Sequence, residues 1–267
     1  MLGDQPAATI GQLCFKNGDA KCTYGTACSL DMNVGLEPLC PKTPLFSKVQ
    51  YQFGQHRPVV YSLAGISEIS GAAVRWLRDN LGVIKTAAEI EDLAEKVESS
   101  DGCVFVPAFE GFVYPEVSDG CRGIICGLTQ STRKEHIARA TLEAVCFQTR
   151  EIIEGIVEES GQKMSVLIVD GGMTANKLFL QMLADLTGTV VEHPAMQEST
   201  ALGAALAAGA ADEIGLFPVR SNGVEINIDF LEKDITVYRP NLSDAERNIM
   251  FDRWKMAKKK SMHSLSD

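Results

Sequence analysis

Most of the short motifs that announce a biochemical function are missing from this chain. Its 267 residues hold no C-x-x-C pair, no G-x-G-x-x-G and no Walker A sequence. Dinucleotide-fold and P-loop phosphate sites therefore have no support in the pattern. The eight cysteines are scattered, mostly inside apolar runs, and read as buried free thiols rather than as a disulfide or metal framework. The four histidines show no ligand spacing, and His136 falls in a helical pattern as a surface or core-edge residue. Basic residues are in deficit, 25 against 35 acidic, and the net charge of −10 argues against a general nucleic-acid binder. Any nucleotide would be held by backbone and metal. The longest apolar run, residues 201–211, is rich in Ala and Gly and falls short of the roughly 18–20 residues that cross a bilayer. The N-terminus lacks a basic n-region and carries Asp4, so no secretory signal is expected and the cytoplasm is the expected location.

What is present is organised around residues 164–187, MSVLIVDGGMTANKLFLQMLADLT. A β-branched apolar run ends on Asp170, the pair Gly171-Gly172 makes a turn, Thr174 stands where a helix N-cap is wanted, and apolar residues then recur at helical spacing up to Gly188. A strand, a bare glycine pair and a helix N-terminus can present N–H groups to a phosphate. Before this stretch the pattern predicts a short helix near residues 6–16 with Asp4 at its mouth. A strand follows around Tyr24-Gly25-Thr26, then a hairpin of 48–53 and 58–63. Residues 69–83 form an amphipathic helix with Ala72, Ala73, Trp76, Leu77 and Leu81 inward. Thr86 caps another helix, over 87–97, whose acidic side chains, Glu91 included, read as solvated surface. Strands at 103–108 and 123–128 flank an irregular segment long enough to be a functional loop. A long helix covers 134–159 and ends at Gly161. Beyond the central stretch come a strand at 189–193, a small-residue helix at 200–211, and a terminal helix whose KMAKKK run reads as a solvated tail.

Antiparallel strands, a helix, then alternating strand and helix describe an α/β ATPase lobe of the actin, Hsp70 and sugar-kinase type (ribonuclease H-like), a mixed sheet flanked by helices. The residues carry a sharper likeness. GDQ at 3–5, TYGT at 23–26, GAAVRWLRDNLG at 71–82, FVPAF at 105–109, RGIICGLT at 122–129, LEAVCFQTRE at 142–151, DGG at 170–172 and TALGAALAAG at 200–209 occur in this order. Together they resemble the glycerol kinases of the FGGY carbohydrate-kinase family. The resemblance implies ATP and Mg²⁺ as cofactors and a small polyol, glycerol, as the phosphoryl acceptor. It implies Asp4 as catalytic base and Gln5 as a polyol ligand. For the nucleotide it implies Thr26 on the phosphate side, Gly71 and Arg75 on the adenosine side, and Gly172 with Asn176 as backbone and amide contacts. No membrane helix is expected, and a homo-oligomer stays open.

Three departures bear on these expectations. Ser29 stands where the family usually has a phenylalanine against the carbon side of glycerol. Ala27 replaces the second glycine of GTGC, a position that could need a special backbone angle and so disturb Thr26. The loop after Phe109 lacks the usual APYWD wording. The Gly-Thr-Thr phosphate hairpin and the GRE motif whose Arg-Glu pair grips the polyol in the family occur nowhere in the sequence, so the chain looks like the C-terminal half. Residues 1–237 are expected to form the lobe and 238–267 a helical tail, with the N-terminal lobe absent and little turnover by this half alone. Two alternatives stand beside a glycerol kinase: a kinase for another polyol or sugar, favoured by Ser29, and a non-catalytic nucleotide-binding lobe.

Overall fold

The alternation of DAKCTY sets the two faces of the sheet. The computed structural model describes residues 2–118, 120–196, 198–228 and 234–262. In it, β1 (Asp19–Tyr24) turns Ala20, Cys22 and Tyr24 to one side and Lys21 and Thr23 to the other, as a period of two requires. It pairs antiparallel with β2 (Cys28–Gly35), which pairs with β4 (Val60–Ser67), which pairs with β3 (Phe46–Tyr51) at the edge. On its other side β1 runs parallel to β7 (Val166–Asp170), β7 runs parallel to β8 (Val191–Pro194), and β9 (Ile235–Tyr238) closes the sheet antiparallel. The order is β3-β4-β2-β1-β7-β8-β9, a seven-stranded mixed sheet with helices on both faces. A separate two-stranded ladder joins β5 (Val104–Val106) to β6 (Ile124–Cys126).

One face of the large sheet is apolar. Ala20, Cys22, Tyr24, Leu30, Met32, Leu167 and Val169 are fully buried there. They belong to one core with Leu142, Val145, Ile152 and Ile156 of α4 (Lys134–Ser160) and Phe179 and Leu183 of α5 (Lys177–Thr187). Helix α4 stops at Gly161 and α5 at Gly188, both left-handed, the conformation that a glycine C-cap supplies. The opposite face is polar and is covered by α1 (Asp4–Gly11) and α6 (Ser199–Gly209). Gln50 donates to Thr9 of α1, Gln12 just past α1 donates to Asp170 at 3.1 Å, and Ser199 of α6 donates to Asp170 at 2.6 Å. The small residues of both helices allow them almost to touch. A Cβ on Gly203 would lie 1.7 Å from the carbonyl oxygen of Ala7, and one on Gly11 would lie 2.0 Å from that of Ser199.

Helix α2 (Gly71–Asp79) follows β4, and α3 (Glu89–Ala94) leads toward β5. The last helix, α7 (Asp244–Met262), lies against α4. Phe251 and Trp254 meet Phe147 with ring centroids 5.9 and 5.8 Å away.

Several expectations need correction. Tyr24-Gly25-Thr26 is not mid-strand: β1 ends at Tyr24, and the next residues form the tip of the β1–β2 hairpin. Leu81 is not inward but 46% exposed, because α2 ends two residues earlier. Thr174 is not a cap. Residues Gly172–Ala175 form a 3-10 turn in which the Thr174 hydroxyl donates to Gly171 O, and the cap of α5 is Asn176. Nor is the KMAKKK run solvated throughout. Lys258 is buried, paired with Glu151 of α4 at 2.6 Å, and lies over the rings of Phe112 and Trp254. Helical spacing alone turns that one lysine inward. His136 is a core-edge residue whose Nδ1 accepts the N–H of Arg133 at the start of α4. The cysteines are all free thiols. Burial pushes the thiols of Cys22 and Cys146 well up, leaving them neutral apolar filler, while Cys40 is exposed.

Candidate active site

Strands β1 and β7 run parallel, with Thr23 opposite Asp170, so their carboxyl ends lie side by side at the centre of the sheet. The strand to the far side of β1 is antiparallel and the one beyond β7 is parallel, so this pair marks the change of direction at which open α/β sheets place ligands. Both chains turn sharply here. Gly171 has φ of 96°, and a Cβ on it would lie 2.5 Å from Tyr24 O, so a side chain at this position has no room.

The two turns open onto a cleft of about 370 Å³. Thr26 comes from the hairpin tip, Gly71 and Arg75 from α2, Gly172 from the 3-10 turn and Asn176 from the cap of α5, and all five line this cleft. Val74, Ile90, Leu142 and Met173 supply apolar walls. The hairpin tip is fastened to α2: Gly71 N donates to Gly25 O at 2.9 Å, and Ser70 N and Ala72 N donate to Thr26 O at 2.9 and 3.1 Å. Ala27 keeps a negative φ, so its methyl group imposes no backbone strain on Thr26.

The N-terminus of α5 is not an open anion site, contrary to the expectation from the glycine pair. Lys177 N and Leu178 N both donate to Glu91 Oε1, at 2.7 and 3.0 Å, and Phe179 N donates to Asn176 Oδ1 at 2.7 Å. A carboxylate reaching across from α3 satisfies the orphan donors and complements the helix dipole. Glu91 also lines the cleft. Sequence reasoning placed it on a solvated face, because nothing local indicates that α3 lies against the start of α5. Asn176 keeps its Nδ2 shielded from solvent and without a partner.

Asp4 and Gln5 do not join the cleft lining. They begin α1, on the polar face of the sheet. Asp4 is exposed, and its Oδ1 accepts Gln5 N at 2.8 Å. Gln5 Oε1 accepts a hydrogen bond from Lys21 Nζ, which also donates to Thr23 Oγ1 at 2.7 Å. Lys21, absent from the sequence-based candidates, was signalled by the alternation of β1, which puts it on the same face as Thr23. Ser29 is half-buried and stands opposite Thr23 in the β1–β2 register. Asp170 is buried, with one oxygen held by Gln12 and Ser199 and the other, Oδ1, without a partner.

Residues 20–211 match the FGGY family of carbohydrate kinases, C-terminal domain. The chain belongs to this family. The FGGY lobe is 50% identical over 210 residues to a glycerol kinase of Mycobacteroides abscessus, covering 79% of this chain and 42% of the relative. It is 44% identical over 257 residues to a glycerol kinase of Chloroflexus aurantiacus, covering 96% and 50%. Among solved structures it superposes on Plasmodium falciparum glycerol kinase with ADP at a TM-score of 0.87 and 34% identity, over 97% of this chain and 50% of that one. The gluconate kinase of Lactobacillus acidophilus, at a TM-score of 0.81 and 22% identity, shares the fold. The FGGY lobe described here spans about half the length of the curated relatives it matches. Among its described residues no helix is long and apolar enough to cross a membrane.

Proposed function

We propose that this chain is the nucleotide-binding half of a glycerol kinase, transferring the γ-phosphoryl group of ATP to glycerol to give glycerol 3-phosphate. The observation that carries this reading is the convergence of Thr26, Gly71, Arg75, Gly172 and Asn176, from three separate segments, on one cleft. Its apolar walls suit a purine. The unpartnered Asn176 Nδ2 is a buried donor in want of an acceptor, as a nucleotide would supply. In this reading the ATPase-type lobe is assigned to residues 1–237 and its tail to 238–267, of which α7 (Asp244–Met262) is the helical part, and the protein works in the cytoplasm.

Asp4 is the base in this scheme. A hydroxyl is a weak nucleophile near neutral pH, and a carboxylate within hydrogen-bond reach takes its proton as the oxygen approaches phosphorus. The N–H of Gln5 fixes one Asp4 oxygen, leaving the other for the substrate hydroxyl. Asp4 is exposed, so a substrate held against it needs a second wall to exclude water, which fits an intact kinase in which another lobe faces α1. Among the described residues no group of three His, Cys, Asp or Glu side chains is arranged to hold a metal. In this reading Mg²⁺ would be carried on the phosphate oxygens of ATP, as it is in kinases, with Asp4 the carboxylate that would face the transferring group. When bound, the ion spreads the charge of the transferring group.

A kinase acting on another polyol is the second reading, favoured by Ser29, whose small polar side chain stands beside Thr23 on the polar face. Turnover of glycerol, xylulose and gluconate by the full-length protein distinguishes the two. Preference for glycerol supports the first, and preference for a sugar or sugar acid overturns it. In the same protein Asp4→Asn is expected to leave nucleotide affinity intact and cut kcat by at least about a hundredfold.

A further inference from the structure

Lys21 sits in the middle of the sheet, 0% exposed, on the face covered by α1. Its ammonium has two hydrogen-bond partners, Gln5 Oε1 and Thr23 Oγ1, and no ion pair involving it is found among the described residues. An ammonium donates and never accepts. It therefore holds the oxygen end of the Gln5 amide inward and leaves the NH₂ end outward, where it has no partner among the described residues. A glutamine free of such a neighbour presents either end, since the two differ little in size.

The geometry points to Lys21 as a positioning residue that fixes the polarity of the substrate mouth. This inference rests on the proposed kinase function and assigns a cause to the way the acceptor alcohol is gripped. With Lys21 in place, Gln5 offers only donors and the adjacent Asp4 carboxylate offers acceptors. A polyol then meets a donor to take the lone pair of one hydroxyl and an acceptor to take the proton of another. An acceptor substrate with neighbouring hydroxyls satisfies both, and one lacking the second hydroxyl leaves a polar group unmatched. Through Thr23, Lys21 also ties this mouth to the end of β1, one residue before Tyr24, where the strand enters the nucleotide cleft.

Lys21→Met keeps an apolar stem of similar shape and removes the ammonium with its donors. In the full-length protein the KM for the preferred polyol should rise by about tenfold while the KM for ATP stays within about twofold, the scale of one lost charge-assisted hydrogen bond. In a Gln5→Ala background the same substitution should add little, because the two act as one unit. Lys21→Gln, which retains an N–H donor, should recover part of the loss. Equal rises in both KM values, or additive effects with Gln5→Ala, would show a merely structural lysine and overturn the proposal. A readout independent of turnover is the ¹⁵N side-chain amide signal of Gln5. One sharp resonance pair, the mark of a single fixed amide orientation, that broadens or shifts in Lys21→Met supports the clamp, and identical spectra refute it. If the wild type phosphorylates none of the polyols, the kinase reading fails, while the amide signal still decides the role of Lys21.

Discussion

Glu91 and Lys177 stand on different helices, and the carboxylate of the first accepts the backbone N–H of the second at 2.7 Å. Leu178 N adds a second bond to the same oxygen, at 3.0 Å. The pair joins α3 to the start of α5 along the edge of the nucleotide cleft. Glu91→Ala is expected to cost about 1 kcal/mol of stability, as loss of a helix cap does, and to weaken ADP binding. Denaturant unfolding and titration calorimetry read the two effects, and unchanged ADP affinity would remove Glu91 from the site.

Gly172 tests the cleft from the opposite direction. A Cβ built on it meets nothing within 4 Å, so Gly172→Ala should fold with unchanged stability. The added methyl group projects into the space assigned to the nucleotide. ADP affinity should fall about tenfold, equivalent to roughly 1.4 kcal/mol. Equal affinity for wild type and variant would mean that the nucleotide does not approach this backbone.

Gly203→Ala should act on the fold instead. Its Cβ would lie 1.7 Å from Ala7 O, a backbone atom that cannot swing away, so α1 and α6 must separate. A loss of about 3 kcal/mol is expected, the upper part of the usual overpacking range, measured as a shift in urea midpoint at constant m-value. Because α1 begins with Asp4, turnover should fall with it.

Glu143 on α4 gives the lobe a pH dependence. Burial pushes its carboxyl up to about 7 from 4.5, against the opposing pull of the Ser100 hydroxyl and the charges of Arg139 and Arg253. The folded protein thus binds this proton more tightly than the unfolded chain. Its contribution is complete below pH 4.5 and is lost as the pH climbs through about 7, by up to about 3 kcal/mol. Glu143→Gln should flatten the fall in stability between these values, and an unchanged slope would show that another group governs it.

How much of this was legible depended on how local each signal was. The apolar run of β7 and the glycine stops of α4 and α5 are properties of neighbouring residues, and they read correctly. So did the small-residue character of α6, which the 1.7 Å approach at Gly203 explains. The failures were non-local. Thr174 looked like a cap because the sequence does not show that the 3-10 turn continues to Ala175 and hands the cap to Asn176. Glu91 and Lys258 looked solvated because charge was judged without knowing which helix lay opposite. Five site candidates met in one cleft, while Asp4 and Gln5 stood apart at the mouth of α1.

The bonds from Ser70, Gly71 and Ala72 to the hairpin tip have one more consequence. These three amides point at the carbonyls of Gly25 and Thr26 and not at solvent. Their protons can exchange with deuterium only when the tip lifts away from α2, so their exchange rates measure how often that part of the cleft opens. A nucleotide resting on Thr26 should slow all three together, a signature readable in the protein whether or not any phosphate is transferred.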